Sequence, residues 1–209
     1  MLKIIREADD PALMELVWSF RHQRFVADIG WAELRRPDHR ERDEFDTSQT
    51  IHAILVNNGE VLGYSRLLPT TLPHLTRDFC QRSGVATPAG KSIYEWSRCA
   101  VAVDVPDIHG YRASDLLMTG VLECLVELGA ETVIFLTYHP IIRMMRRRGY
   151  PVRKLCSLAL SNGDRIEAVS SALSMNLLFQ HRHRHNISRS LLEWGPSITA
   201  RRIEPPAAA

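Results

Sequence analysis

IYEWSRCAVAV, residues 93–103, reads as a strand from the middle of a sheet, yet it carries Glu95 and Arg98 within its length. Successive side chains on a regular strand alternate between faces, so these two would point to opposite sides. A bulge near Ser97 would change that. Ionised groups are seldom fully buried without partners, so the strand either holds a structural ion pair or presents charge to a ligand. Residues 132–137, TVIFLT, form a second internal strand that is almost wholly apolar, as expected for the interior of a sheet covered on both faces.

Working toward the N-terminus, residues 51–56 and 61–68 flank NNGE and predict a hairpin, with Asn-Gly supplying the positive backbone angles of a tight turn and Arg66 on the second strand. Asp9, Asp10 and Pro11 start a helix in which Leu13, Leu16, Val17, Phe20 and Arg24 follow at helical spacing. Arg21 and Phe25 lie near its C-terminal end, and residues 2–5 give a short edge strand before it. Residues 26–50 show no sustained periodicity and include Gly30, Pro37 and the acidic run ERDEFD at 41–46. A loop of that length in a compact domain is usually functional or disordered.

Toward the C-terminus, the two prolines of PTTLPHL open a linking region that leads to the strand at 93. Leu116, Leu117, Gly120, Val121, Cys124, Leu125 and Leu128 predict an amphipathic helix over 114–128 that ends at Gly129. His139-Pro140 turns into IIRMMRRR, which stops at Gly149. Residues 152–160, the turn SNGD and residues 165–170 predict a last hairpin, followed by a helical tail over 171–209 containing HRHRH.

The order β-α-β-β-β-α-β-α-β implies an α/β three-layer sandwich around a mixed, twisted sheet, a single domain over 1–209. A doubly wound nucleotide fold would alternate strand and helix throughout, and the chain has no GxGxxG or GxxxxGK motif. The order is similar to that of the GNAT acyltransferases, in which two parallel strands splay apart and admit an acyl thioester. Here those strands would be 93–103 and 132–137.

With 45% hydrophobic and 24% charged residues and a formal charge of +2, the chain reads as an ordinary globular protein without the basic stripe that nucleic acid demands. No apolar run approaches a membrane span and the N-terminus has no signal-peptide core. The four cysteines show no CxxC spacing, which fits a reducing cytoplasm.

Phe25 and Trp31 together with Asp43 and Asp46 suit a cationic ligand without phosphates, held by aromatic faces and carboxylates. A hydrophobic staple and a solvated acidic loop explain the same residues. Arg143, Arg146 and Arg147 share one helix face at i, i+3 and i+4, either as a solvated face or as a dock for an acidic partner. His181 and His185 of HRHRH are four apart with no third ligand evident, so no metal site is expected.

Taken in order and spacing, RHQRF, GW, ERDEFD, GYSRLLPTT and YEWSRCAV resemble the N-acyl-homoserine-lactone synthases, the autoinducer synthases of bacterial quorum sensing. The resemblance is close over residues 15–103 and looser to about 160. It implies S-adenosylmethionine (SAM) as a substrate rather than a bound cofactor, with Arg21, Phe25, Trp31, Asp43 and Asp46 building its pocket in the first 70 residues. Arg66, Glu95 and Arg98 match the remaining family positions, with Glu95 as general base and Ser97 helping to place a water. Glu41 and Glu44 match nothing functional and are expected to face water.

The resemblance further implies an acyl thioester, on acyl carrier protein or coenzyme A, as the other substrate. Its acyl chain would lie in a cleft within residues 90–170, between the splayed strands and the helix bearing Leu117 and Val121. Phe135 falls where members preferring 3-oxo chains tend to carry threonine, which implies a short, unsubstituted, branched or aromatic acyl group. Arg143, Arg146 and Arg147 would receive the acyl donor. An N-acetyltransferase of GNAT type shares the splayed sheet but gives no reason for the aromatic and acidic segment. A non-catalytic ligand-binding module would keep the pocket without turnover.

Overall fold

The structure is a computed structural model that describes residues 1–159 and 165–199. One eight-stranded sheet runs β6-β7-β5-β4-β3-β2-β1-β8. Its strands are β1 (Leu2–Ile5), β2 (Ile51–Asn57), β3 (Glu60–Pro69), β4 (Ile93–Val101), β5 (Thr132–Tyr138), β6 (Val152–Ala159), β7 (Arg165–Ala172) and β8 (Leu192–Trp194). Two neighbouring pairs are parallel, β4 with β5 and β1 with β8, and the others are antiparallel.

Helices cover both faces. α1 (Pro11–Arg21) and α2 (Leu75–Arg82) lie on one, and α3 (Ala113–Glu127), α4 (His139–Arg147) and α5 (Met175–Arg184) on the other. The alternation of β5 shows why: Val133 and Phe135 join the large core under α3, while Leu136 packs with Phe79 and Cys80 of α2. Helix α3 runs so close to β1 that a Cβ at Gly120 would lie 2.6 Å from Leu2 Cδ2, which is why the middle of a strong helix tolerates glycine here.

Local signals account for most elements. Asp10 accepts the Leu13 amide at 3.0 Å and Pro11 occupies the first turn of α1. Asn58 and Gly59 both take positive φ, 50° and 82°, as the hairpin turn requires. The three-layer α/β sandwich on a mixed sheet is the architecture expected from the order of elements.

Three details differ. Helix α1 continues as a wider π-helical segment through His22–Asp28, so irregular structure begins only after it. The linking region contains α2, an eight-residue, mostly polar helix that was not expected there. Among the described residues of the tail only α5 is helical, and β8 follows it at the sheet edge beside β1. The SNGD turn lies outside the described residues, as does the end of the chain from residue 200.

Candidate active site

The parallel pairing of β4 and β5 covers only Ile93↔Thr132, Tyr94↔Val133 and Glu95↔Ile134. Beyond Glu95 the strands separate. A cavity of about 420 Å³ occupies the gap, with Phe25 and Trp31 from the α1 side, Ser97 and Arg98 from β4, and Leu117 and Phe135 from the α3 side. Lining residues from both faces make it a passage through the sheet.

The charged strand centre is resolved by a bulge. Tyr64 pairs with Ala100 and Arg66 with Ser97, so Ser65 opposes two residues on β4, one of them Arg98 at a φ of 54°. A non-glycine residue in that region costs roughly 1–3 kcal/mol, and the surrounding contacts must hold it there. The turn brings the Arg98 side chain to the face already occupied by Ser97 and Arg66.

Those contacts come from the acidic segment. Arg21 Nε donates to Glu41 Oε2 at 2.6 Å and its Nη1 to Asp46 Oδ1 at 2.8 Å. Arg66 Nη1 donates to Asp43 Oδ1 at 2.5 Å, with Asp46 Oδ1 3.1 Å away, and Arg66 Nε donates to Ser97 Oγ at 3.0 Å. Arg98 Nη2 reaches Glu41 Oε1 at 3.1 Å and Asp43 Oδ2 at 2.9 Å. Three arginines and three carboxylates thus interlock with no net formal charge. Burial alone would raise the Glu41 and Asp46 carboxyls, but Arg21 with Arg98, and Arg21 with Arg66, hold them below the usual carboxylate range.

Glu41 corrects the reading of ERDEFD. It was expected to face water, yet it is 1% exposed and bridges Arg21 and Arg98, whereas Glu44 is exposed as expected. Because Glu95 is bound elsewhere, Asp43 and Asp46 alone leave Arg21, Arg66 and Arg98 one anion short, and Glu41 supplies it.

Phe25 and Trp31 stack with ring centroids 5.2 Å apart and planes 16° from parallel. The Arg98 guanidinium lies 5.7 Å from the Phe25 ring and 5.5 Å from the Trp31 ring. The expected grouping of aromatics, aspartates and arginines is therefore present. Its aspartates, however, are engaged by arginines, and neither they nor Arg21 and Arg66 line the cavity; of the ion network only Arg98 does.

Glu95 pairs with neither Arg98 nor Arg66. Its Oε2 accepts the Thr76 amide of α2 at 2.6 Å and meets His74 Nδ1 at 3.1 Å. It does not line the cavity, but Ser97, two residues on and on the same strand face, does. Leu117 and Phe135 line the far side, while Val121, one turn further along α3, is buried in the core and does not. Arg143, Arg146 and Arg147 are exposed on α4, whose other side turns Ile141, Met144 and Met145 to the cavity.

Among the described residues, no group of three or more His, Cys, Asp or Glu is arranged to hold a metal. His181 instead bonds through Nε2 to the Arg148 carbonyl at 2.9 Å. No helix among them is long and apolar enough to cross a membrane.

The model of the autoinducer synthase family matches residues 7–175. An acyl-homoserine-lactone synthase of Ralstonia nicotianae is 34% identical over 151 residues, 68% of this chain and 72% of that protein. The CoA-dependent acyl-homoserine lactone synthase BjaI, solved with MTA, superposes over 95% of both chains with a TM-score of 0.85 and 26% identity. Its structure with SAM and isopentyl-CoA gives a TM-score of 0.84 at 25% identity over the same shares. An acyl-CoA N-acyltransferase from Pseudomonas aeruginosa, covering 81% of this chain and 98% of its own at a TM-score of 0.54 and 16% identity, shares the fold alone. From the arginine of α1, through the folded-back acidic segment, to the bulged strand at the sheet opening, the chain belongs to the autoinducer synthase family, the acyltransferases that make acyl-homoserine lactones.

Proposed function

We propose that this protein transfers an acyl group from acyl-coenzyme A to the amine of SAM and then closes the lactone, releasing methylthioadenosine. One observation carries the reading: a single cavity crosses the sheet, with Phe25, Trp31 and Arg98 at one end and Leu117 and Phe135 at the other. SAM occupies the first end and the acyl chain the second, so amine and thioester meet near Ser97. The balanced ion network presents no net positive charge to a sulfonium cation, as an unpaired arginine cluster would.

The amine must lose a proton before it attacks, and with a free α-amino pKa of about 8 a positioned carboxylate acting through water suffices as base. Glu95 fills that role. Its carboxyl, which burial would raise, is held below the usual range by its bonds to His74 and Thr76, so it is ionised at neutral pH. Ser97 Oγ accepts from Arg66 and retains its own hydrogen to place the water.

Attack forms the carbon–nitrogen bond and a tetrahedral oxyanion, which β4 amides beyond the β5 pairing stabilise, with Arg98 beside them. Collapse of the oxyanion expels the thiolate, which takes the second amine proton. The methionine carboxylate then displaces the sulfonium at its γ-carbon, closing the lactone. Acyl-coenzyme A is favoured as donor because BjaI is a CoA-dependent synthase, and its phosphates would meet Arg143, Arg146 and Arg147, exposed on the outer face of α4, the helix whose opposite face lines the cavity.

Incubation with SAM and matched acyl-coenzyme A and acyl carrier protein donors, followed by free-thiol release, tests the proposal. Release from acyl-coenzyme A that requires SAM is expected. Equal release without SAM sinks the acyl-transfer step, and faster release from carrier protein reverses the choice of donor. In the same assay the donor KM is expected to rise several-fold between about 50 and about 300 mM salt, because exposed charges are screened. A flat salt response removes the α4 arginines from docking.

Phe135 closes the far end of the cavity, its ring edge-on to Trp96 at a centroid distance of 6.4 Å. Phe135→Ala is expected to shift the preferred acyl group toward longer chains. Competition among acyl donors with mass-spectrometric readout decides it, and an unaltered product profile shows that the ring does not limit chain length.

A further inference from the structure

Helix α2 holds the carboxylate on which the proposed chemistry depends. Glu95 is 1% exposed, and its Oε2 sits at the N-terminus of α2, where it accepts the Thr76 amide at 2.6 Å. The same oxygen lies 3.1 Å from Nδ1 of His74, a residue that is itself fully buried. Two kinds of bond are open to that nitrogen, and they exclude each other. Unprotonated, Nδ1 accepts the Arg77 amide, 3.2 Å away, and serves only as a cap for α2. Protonated, it donates to Glu95.

The charge on Glu95 decides between them. Burial opposes its ionisation; besides His74, whose proton is the question, Thr76 of α2 donates to it at 2.6 Å and Arg66 of β3 attracts its charge, and both favour the ionised form. An ionised carboxylate has no hydrogen to give, so the hydrogen in the contact belongs to His74 Nδ1. The Arg77 amide does not go unsatisfied, since the His74 carbonyl accepts it at 3.1 Å. Glu95 Oε1 has no partner among the described residues.

We infer that His74 is a positioning residue for the base: with the Thr76 amide it pins Glu95 Oε2 at the start of α2 and leaves Oε1 as the atom that takes the proton. The inference rests on the reading of Glu95 as base. It assigns a role in turnover to a side chain outside the cavity and outside the strand that carries Glu95.

Two substitutions separate this role from capping. Serine and asparagine both cap helices, but the serine hydroxyl is one bond short of the position of Nδ1, whereas the asparagine amide places an N–H there. His74→Ser is expected to lower kcat by about tenfold or more with the SAM Kd within about threefold, and to move the acid limb of the kcat–pH profile upward, because a lost donor favours the neutral carboxyl. His74→Asn is expected to restore most of kcat and return the acid limb. His74→Thr repeats the comparison with a bulkier capping side chain should the serine variant fold poorly.

Glu95→Gln, measured alongside, shows which claim fails. Impaired Glu95→Gln with His74→Ser at wild-type kcat and an unmoved acid limb overturns the role of His74 alone. Unimpaired Glu95→Gln removes the base, and the inference with it.

Discussion

Glu95→Gln is expected to lower kcat by about 10²–10⁴-fold, the range that general-base catalysis contributes, while the SAM Kd moves by less than about threefold. The substitution keeps an acceptor for the Thr76 amide, so α2 retains its anchor, and it removes only the ability to take a proton. Glu95 does not line the cavity, which is why binding should be spared. Equal losses in kcat and in SAM affinity would show that the residue shapes the pocket. Unchanged kcat would remove it from the reaction.

The second large effect concerns stability and falls on Glu41. Glu41→Ala leaves the buried Arg21 with Asp46 as its one carboxylate partner and takes one of two from Arg98, and breaking a buried pair by removing one member costs about 3–5 kcal/mol. Glu44→Ala, three residues on and exposed, should stay within about 0.5 kcal/mol of the parent. Urea unfolding at neutral pH reads both.

The pH dependence has a definite sign. Glu41 and Asp46 have lowered carboxyl pKa values in the folded protein, so the stability they contribute is fully present above the ordinary carboxylate pKa of about 4 and fades as pH falls through the lowered values. The gap between parent and Glu41→Ala should therefore narrow in acid. Equal stability of the two at neutral pH would show that Glu41 is not part of the network.

Much of this arrangement was legible in the chain. Hydrophobic period and turn chemistry marked every long strand, the odd spacing of Glu95 and Arg98 inside an apolar strand marked the bulge, and the resemblance in element order marked the sheet opening. What stayed hidden depended on chain segments meeting across the fold. Nothing local distinguishes Glu41 from Glu44; only the position of Arg98 after the bulge makes one a bridge and leaves the other in water. Helix α2 escaped because it is short and mostly polar, held by the packing of Phe79 and Cys80 and by the contacts at its N-terminus. Missing it meant missing His74 and Thr76 as the partners of Glu95.

The most direct measurement follows nitrogen and sulfur through one reaction. Purified protein is given an acyl-coenzyme A and SAM labelled with nitrogen-15 in its amine, and the products are resolved by mass spectrometry. The account predicts label in the amide of an acyl-homoserine lactone and an equal molar yield of methylthioadenosine. Acylated SAM that keeps its sulfonium, with no methylthioadenosine, would contradict it and leave a simple N-acyltransferase.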